Sequence, residues 1–186
     1  MFKGQLDRDY FPVQLEDMRA AIQFIQLSEN PVEISGMRVH WIFTHHPGAT
    51  LGFKVEMHNK TIGYISDNEF LAGYLGEPSR AMKDSGLLAP YAKIVEFLTG
   101  VDLFIGEAQY TNEEYRGKIG WGHSSVSNAS VLAGLAGIRK WIVTHHDPMH
   151  DDDFLMAKLS LHRQILESLS FKVDLSNAFD GLKIHC

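Results

Sequence analysis

The sequence predicts an α/β protein built on a mixed sheet, and two observations carry that reading. Hairpin-spaced strands come first, and strands alternating with helices follow, the order expected of a layered α/β fold. At 186 residues the chain fits one domain, spanning 1–186, that is long enough to bury a real core.

The elements follow in order. Residues Leu15 to Leu27 carry Met18, Ala21, Ile22 and Ile25 at roughly helical spacing, with an end that could turn into a strand. Met37 to Phe43 alternates as a strand does. Gly52 to Met57 and Thr61 to Ile65 flank a His58-Asn59-Lys60 turn and read as a hairpin. Gly73 to Pro90, rich in Gly, Pro and Ser, reads as an irregular loop. A helix around Tyr91–Leu98 leads into a buried-type strand, Val101–Ile105. Ser127 is a candidate cap for a small-residue helix over Asn128–Gly137, which could lie close to a sheet. Trp141–Thr144 is another buried-type strand. Asp151, Asp152 and Asp153 suit the first turn of a helix running towards Leu169, because carboxylates complement its dipole. Phe171–Val173 and Leu182–Ile184 are candidate closing strands.

Composition narrows the function classes. A net charge of −6 argues against a general nucleic-acid grip, though not against a phosphodiester held locally by a cation. The single cysteine, Cys186, permits no internal disulfide, which fits a reducing cytoplasm. Charged residues soon after Met1-Phe2-Lys3-Gly4 do not read as a secretory leader, and no apolar run reaches membrane-spanning length.

Three short segments carry chemistry: Thr44-His45-His46-Pro47-Gly48, Ser66-Asp67-Asn68-Glu69 and Thr144-His145-His146-Asp147-Pro148. Each follows a strand, so His46, Asp67 and His145 stand where strands emerge into loops. Singly, each is as well explained by turn or cap chemistry. Jointly, two imidazoles and one carboxylate make a divalent-metal site. An aspartate can bridge two cations, one on each oxygen. His45 and His146 alternate with the proposed ligands and should face the other way. Gly120-Trp121-Gly122-His123-Ser124-Ser125 combines glycine freedom with His123 and two hydroxyls near a helix start, either an anion-holding turn or a plain connector. The Asp151–Asp153 run and Glu113-Glu114 read as solvated.

Taken together, HPGATLGFKVE (46–56), YISDNE (64–69), VDLFIGEAQYTNEEY (101–115), GWGHSSVSNASVLAGLAGI (120–138) and WIVTHHDPMHDDD (141–153) resemble the metallo-β-lactamase fold. The likeness is to its metal-dependent hydrolases related to the tRNA 3′-processing endonuclease and cyclic-nucleotide phosphodiesterases. AFDGLKI (178–184) is similar too. The resemblance implies a partial αββα sandwich with mixed sheets. It implies His46, Asp67 and His145 as metal ligands, Asp67 as the bridging group, and His123 close to substrate at the catalytic centre. Glu107 stands where many relatives carry an aspartate. The family's His-x-His-x-Asp-His signature does not occur in this sequence, so the chain resembles the later part of the fold. The implied activity is attack of a metal-bound hydroxide on a small phosphodiester or related ester, with zinc first and manganese or iron as alternatives. Two protein ligands per cation would be fewer than the three of a usual catalytic zinc site. A fold so divided leaves apolar sheet surface to cover, hence a homodimer or completion by another chain. A non-catalytic binding or assembly module and a di-iron redox or oxygen-sensing protein are the rival classes.

Overall fold

A computed structural model describes residue 9, residues 12–14 and residues 17–184. It has seven strands in one sheet, ordered β1 to β7 as in the chain. They are β1 (Val32–Ile34), β2 (Met37–Phe43), β3 (Leu51–Met57), β4 (Lys60–Ile65), β5 (Leu103–Glu107), β6 (Lys140–Thr144) and β7 (Asp174–Asn177). The helices are α1 (Pro78–Ala81), α2 (Ser85–Leu88), α3 (Ala92–Leu98), α4 (Asn112–Tyr115), α5 (Val126–Leu135) and α6 (Asp152–Ser168). Strands β1 to β4 pair antiparallel, whereas β4 to β7 pair parallel through helical crossovers. The mixed α/β sheet read from the sequence is present.

The β3–β4 turn is built as its residues demand. His58 and Asn59 both take the left-handed conformation (φ 48° and 60°), the signature of a tight hairpin whose twist matches its strands. The helices pack on one face of the sheet. Ile65, Phe104, Trp141, Val143 and Leu175 point from that face into a cluster with Ile94 and Leu98 of α3, Val131 and Leu132 of α5, and Leu159 and Leu166 of α6. Close packing there leaves no room at Gly134, where an added Cβ would lie 2.2 Å from the Phe171 ring.

Several sequence expectations change in detail. The helix expected over 15–27 partly falls outside the described residues. From 17 to 27 the chain has no α-helix, and Met18, Ile22, Phe24 and Ile25 are exposed, so the apolar spacing does not build a helix face buried against the core. This segment ends at Asn30, whose amide takes the place of a strand residue. It accepts from Trp41 N (3.1 Å) and donates to Trp41 O (2.7 Å). The presumed loop over 73–90 contains α1, started by Pro78, and α2, capped by the Asp84 carboxylate on Leu87 N. Strand β5 begins two residues later than read, at Leu103. The cap of α5 is Ser125, which accepts from Asn128 N. Ser127 lies inside the first turn, where its hydroxyl accepts from Asn112. The last strand is Asp174–Asn177; Phe171–Val173 and Leu182–Ile184 are not strands. Phe171 serves instead as packing over α5.

Among the described residues, no helix is long and apolar enough to cross a membrane. Cys186 lies outside them.

Candidate metal centre

The ligand-type residues come from four strand-to-loop or loop-to-helix junctions at one edge of the sheet. His46 follows β2, Asp67 follows β4, His123 precedes α5, and His145 follows β6. Parallel strands deliver their carboxyl ends to one edge, which is why residues far apart in sequence meet there.

One potential ligand atom from each of His46, Asp67 and His123 lies within 4.8 Å of the others. His145 Nε2 stands 3.6 Å from Asp67 Oδ1, and its ring centroid is 4.9 Å from that of His123. Of the three sequence candidates, His46 and Asp67 fall within that group, and His145 stands beside the Asp67 carboxylate. His123, read from the sequence as a residue close to substrate, belongs to that group by distance.

Local bonds aim these groups. The Ser66 hydroxyl donates to Asp67 Oδ2, leaving Oδ1 turned towards His145. The Thr50 hydroxyl donates to Gly48 O and lies 3.1 Å from His46 Nδ1. With the imidazole proton on Nδ1 donated to Thr50 Oγ1, the Nε2 lone pair is left for a cation, as metal-ligating histidines generally require. The Gly48 N–H, also 3.1 Å from Nδ1, favours the opposite tautomer, so loading a cation costs that bond. His123 Nδ1 is buried without a hydrogen-bond partner. Burial pushes the His123 imidazole down to about 4, with His145 adding repulsion and Asp67 partly offsetting it. The ring is thus neutral near pH 7, the form that binds metal. Two imidazoles, His46 and His123, and the Asp67 carboxylate, with an unpaired buried nitrogen among them, fit a divalent transition metal.

His45 and His146, expected to face away from the candidate ligands, are held elsewhere than at the Asp67 carboxylate. His45 packs on the Tyr91 ring at 4.4 Å. A left-handed turn at His145 (φ 53°) separates it from His146, whose ring nitrogens are buried without partners. Burial, then Lys158 and His150, pushes the His146 imidazole down to about 4.

Two residues near the site, Glu69 and Lys158, escape sequence reasoning, and Glu107 is marked only through the family resemblance. Glu69 is buried and accepts from Tyr115 Oη and from the N–H groups of Gly120 and Gly122. Glu107 accepts from Ser124 N (2.8 Å) and Gln109 N (2.9 Å), while burial raises its carboxyl to about 8. Lys158 is buried on α6, donates to Gln109 O, and is pushed down to about 8 by burial. The only signals were a carboxylate ending a buried-type strand and a lysine at core spacing beside Leu159. Glu114, read as solvated, is half-buried. It closes a capping box with Thr111 and pairs with His150 Nε2 at 2.8 Å. Asp151 does start its helix as expected, accepting from Phe154 N.

No family model matches the chain. It is 31% identical over 107 residues to ribonuclease Z of Brevibacillus brevis (strain 47), covering 54% of this chain and 34% of that protein. It is 30% identical over 138 residues to ribonuclease Z of Azobacteroides pseudotrichonymphae, covering 66% and 47%. Its structure matches the metallo-β-lactamase fold protein YhfI from Bacillus subtilis with a TM-score of 0.58 at 16% identity, covering 85% of this chain and 53% of that one. This chain has a metallo-β-lactamase fold. Zn²⁺-bound PqqB from Methylobacterium extorquens matches it with a TM-score of 0.50 at 16% identity, covering 88% and 52%. The chain spans half or less of the length of the two ribonuclease Z proteins it matches.

Proposed function

We propose that this chain supplies the Asp67-centred part of a divalent-metal-dependent hydrolase acting on phosphodiester or related ester bonds. The observation that carries the reading is the meeting of His46, Asp67, His123 and His145 at one sheet edge. His46, Asp67 and His145 would hold the cation, with His123 as a further ligand or as the group nearest the leaving oxygen. When bound, the cation lowers the pKa of a coordinated water and offsets the charge developing on phosphorus-bound oxygen. Asp67 would orient that charge, since Ser66 fixes one of its oxygens and the other faces His145. His123, neutral and shielded from water, would accept or donate one proton at Nδ1 beside the reacting group.

Zinc is the proposed metal because the donors are mostly imidazole; manganese and iron are the alternatives. Likeness to two proteins named ribonuclease Z brings an RNA backbone into the substrate class. With a net charge of −6, such a backbone would be held at the cation rather than along a basic surface. The exposed apolar residues on the β1–β4 face, Ile34, Phe43, Met57 and Tyr64, support association with a second copy or a completing chain.

Elemental analysis of the purified protein tests the reading. Asp67→Ala should abolish bound zinc together with turnover of an activated phosphodiester. Unchanged metal content in that variant rejects the ligand assignment, and a metal-free wild type favours the non-catalytic module.

A further inference from the structure

We propose that Glu69 is a positioning residue that locks His123 into the metal centre by clamping the glycine loop that carries it. The inference rests on the metal-site reading above and extends it to a residue that touches neither metal nor substrate.

Glu69 lies two positions after Asp67, so one strand exit delivers a ligand and the clamp together. Its side chain is 4% exposed and is surrounded by donors. Tyr115 Oη donates to Oε1 at 2.6 Å, Gly120 N to Oε1 and Oε2 at 2.9 and 3.1 Å, and Gly122 N to Oε2 at 3.0 Å. An acceptor-only carboxylate is the one side chain that satisfies a hydroxyl and two amides at once. Both amides belong to glycines in the left-handed region (φ 84° and 93°), so the loop conformation depends on residues without a side chain.

The clamp pulls the loop tightly onto the first ligand. A Cβ on Gly122 would lie 2.2 Å from His46 Cδ2 and 2.7 Å from Pro47 Cδ. The next residue is His123, whose ring then stands 5.5 Å from that of His46 and 4.9 Å from that of His145. The backbone of Glu69 also donates to His45 O at 2.7 Å, beside His46. Glu69 therefore ties the loops bearing His46, Asp67 and His123 to one buried point. Tyr115 is itself held, accepting from Gly73 N at 2.9 Å.

The experiment compares Glu69→Gln with Leu166→Ala, a core change on α6 that loses stability without touching the loop. Zinc affinity is measured by competition calorimetry, and ring-to-ring contacts between His46 and His123 are read from nuclear Overhauser effects. Glu69→Gln should weaken zinc binding about tenfold or more, the usual scale for groups that orient ligands, and erase the ring contact. Leu166→Ala should lower Tm and leave both readings at wild-type values. Tyr115→Phe, which removes one donor, should shift both in the same direction by less, and it serves if Glu69→Gln does not fold. Should the wild type bind no zinc, the metal reading fails and the ring contact alone decides the clamp. A contact that survives in Glu69→Gln, or zinc affinity unchanged in it, overturns the proposal.

Discussion

The two halves of the sheet treat the same kind of residue differently. In β5 and β6 the strands are buried on both faces, with Leu103, Phe104, Trp141, Ile142 and Val143 all inaccessible. In the hairpins β1 to β4 only Gly52, Gly63 and Ile65, on the helix-facing side, are buried. On the other side Phe43 is 62% exposed, Met57 46% and Tyr64 42%. Crossover helices cover one face of the parallel half, whereas the β1–β2 and β3–β4 hairpins close with two-residue turns and bring no helix with them. Both halves feed the candidate metal site: the hairpins supply His46 and Asp67, and the parallel half supplies His123 and His145. The centre sits on the seam between a sealed scaffold and an open one.

Substitutions should separate the halves by size of effect. Trp141→Ala, in the sealed half, should cost about 3–5 kcal/mol in urea denaturation, from lost burial and the cavity left behind. A loss under 1 kcal/mol would show that the parallel half is not the rigid one.

The next effect is a pH dependence seated in the same half. His162 is fully buried, bonded to Ser130, and its imidazole is pushed down to about 3 by burial. Between pH 6.5 and about 3 the unfolded chain binds a proton that the folded one refuses, so stability falls as pH drops through that window. Glu107 acts with the opposite sign. Its carboxyl is raised to about 8, so the folded state keeps a proton that the unfolded state has lost, and stability falls as pH rises from 4.5 to about 8. Thermal melts of His162→Asn should flatten the acid limb, and melts of Glu107→Gln should flatten the limb towards pH 8. An unaltered slope in either variant would deny that group its part.

A smaller loss is expected at the start of α5. Ser125→Ala removes the hydroxyl that accepts from Asn128 N and should cost about 1 kcal/mol. Ser127→Ala should not act through capping, and equal capping losses at both positions would contradict the observed helix start. The smallest effect belongs to the open face. Phe43→Ser should change monomer stability by no more than about 0.5 kcal/mol while lowering self-association in sedimentation. A large loss of stability would mean that Phe43 is packed within the fold.

Some of this was legible in the residues alone. Alternation in Met37–Phe43, the apolar run before His145, and the acidic start of α6 are local signals, and the structure repeats them nearly to the residue. The segment over 17–27 misled because its helical spacing does not build a helix face buried against the core. Ser127 misled because two serines stand two residues apart, and only the Asn112 side chain decides which one is inside the turn. His46, Asp67 and His145 could be picked out as candidates because each combines a ligand-type side chain with a strand end, and the structure brings His46 and Asp67 together with His145 beside them. Glu69 could not, since a carboxylate two residues beyond a strand looks like any loop residue until its donors are in place.

The strand positions, the hairpin-then-crossover plan and the candidate ligand side chains at strand ends are written in the linear pattern, because near-neighbour spacing and backbone preference fix them. The distance of His123 from its partners, the burial that keeps its ring neutral and the anchoring of its loop by Glu69 are not. They depend on contacts between residues some fifty positions apart, which exist only once the sheet has brought its loops to one edge.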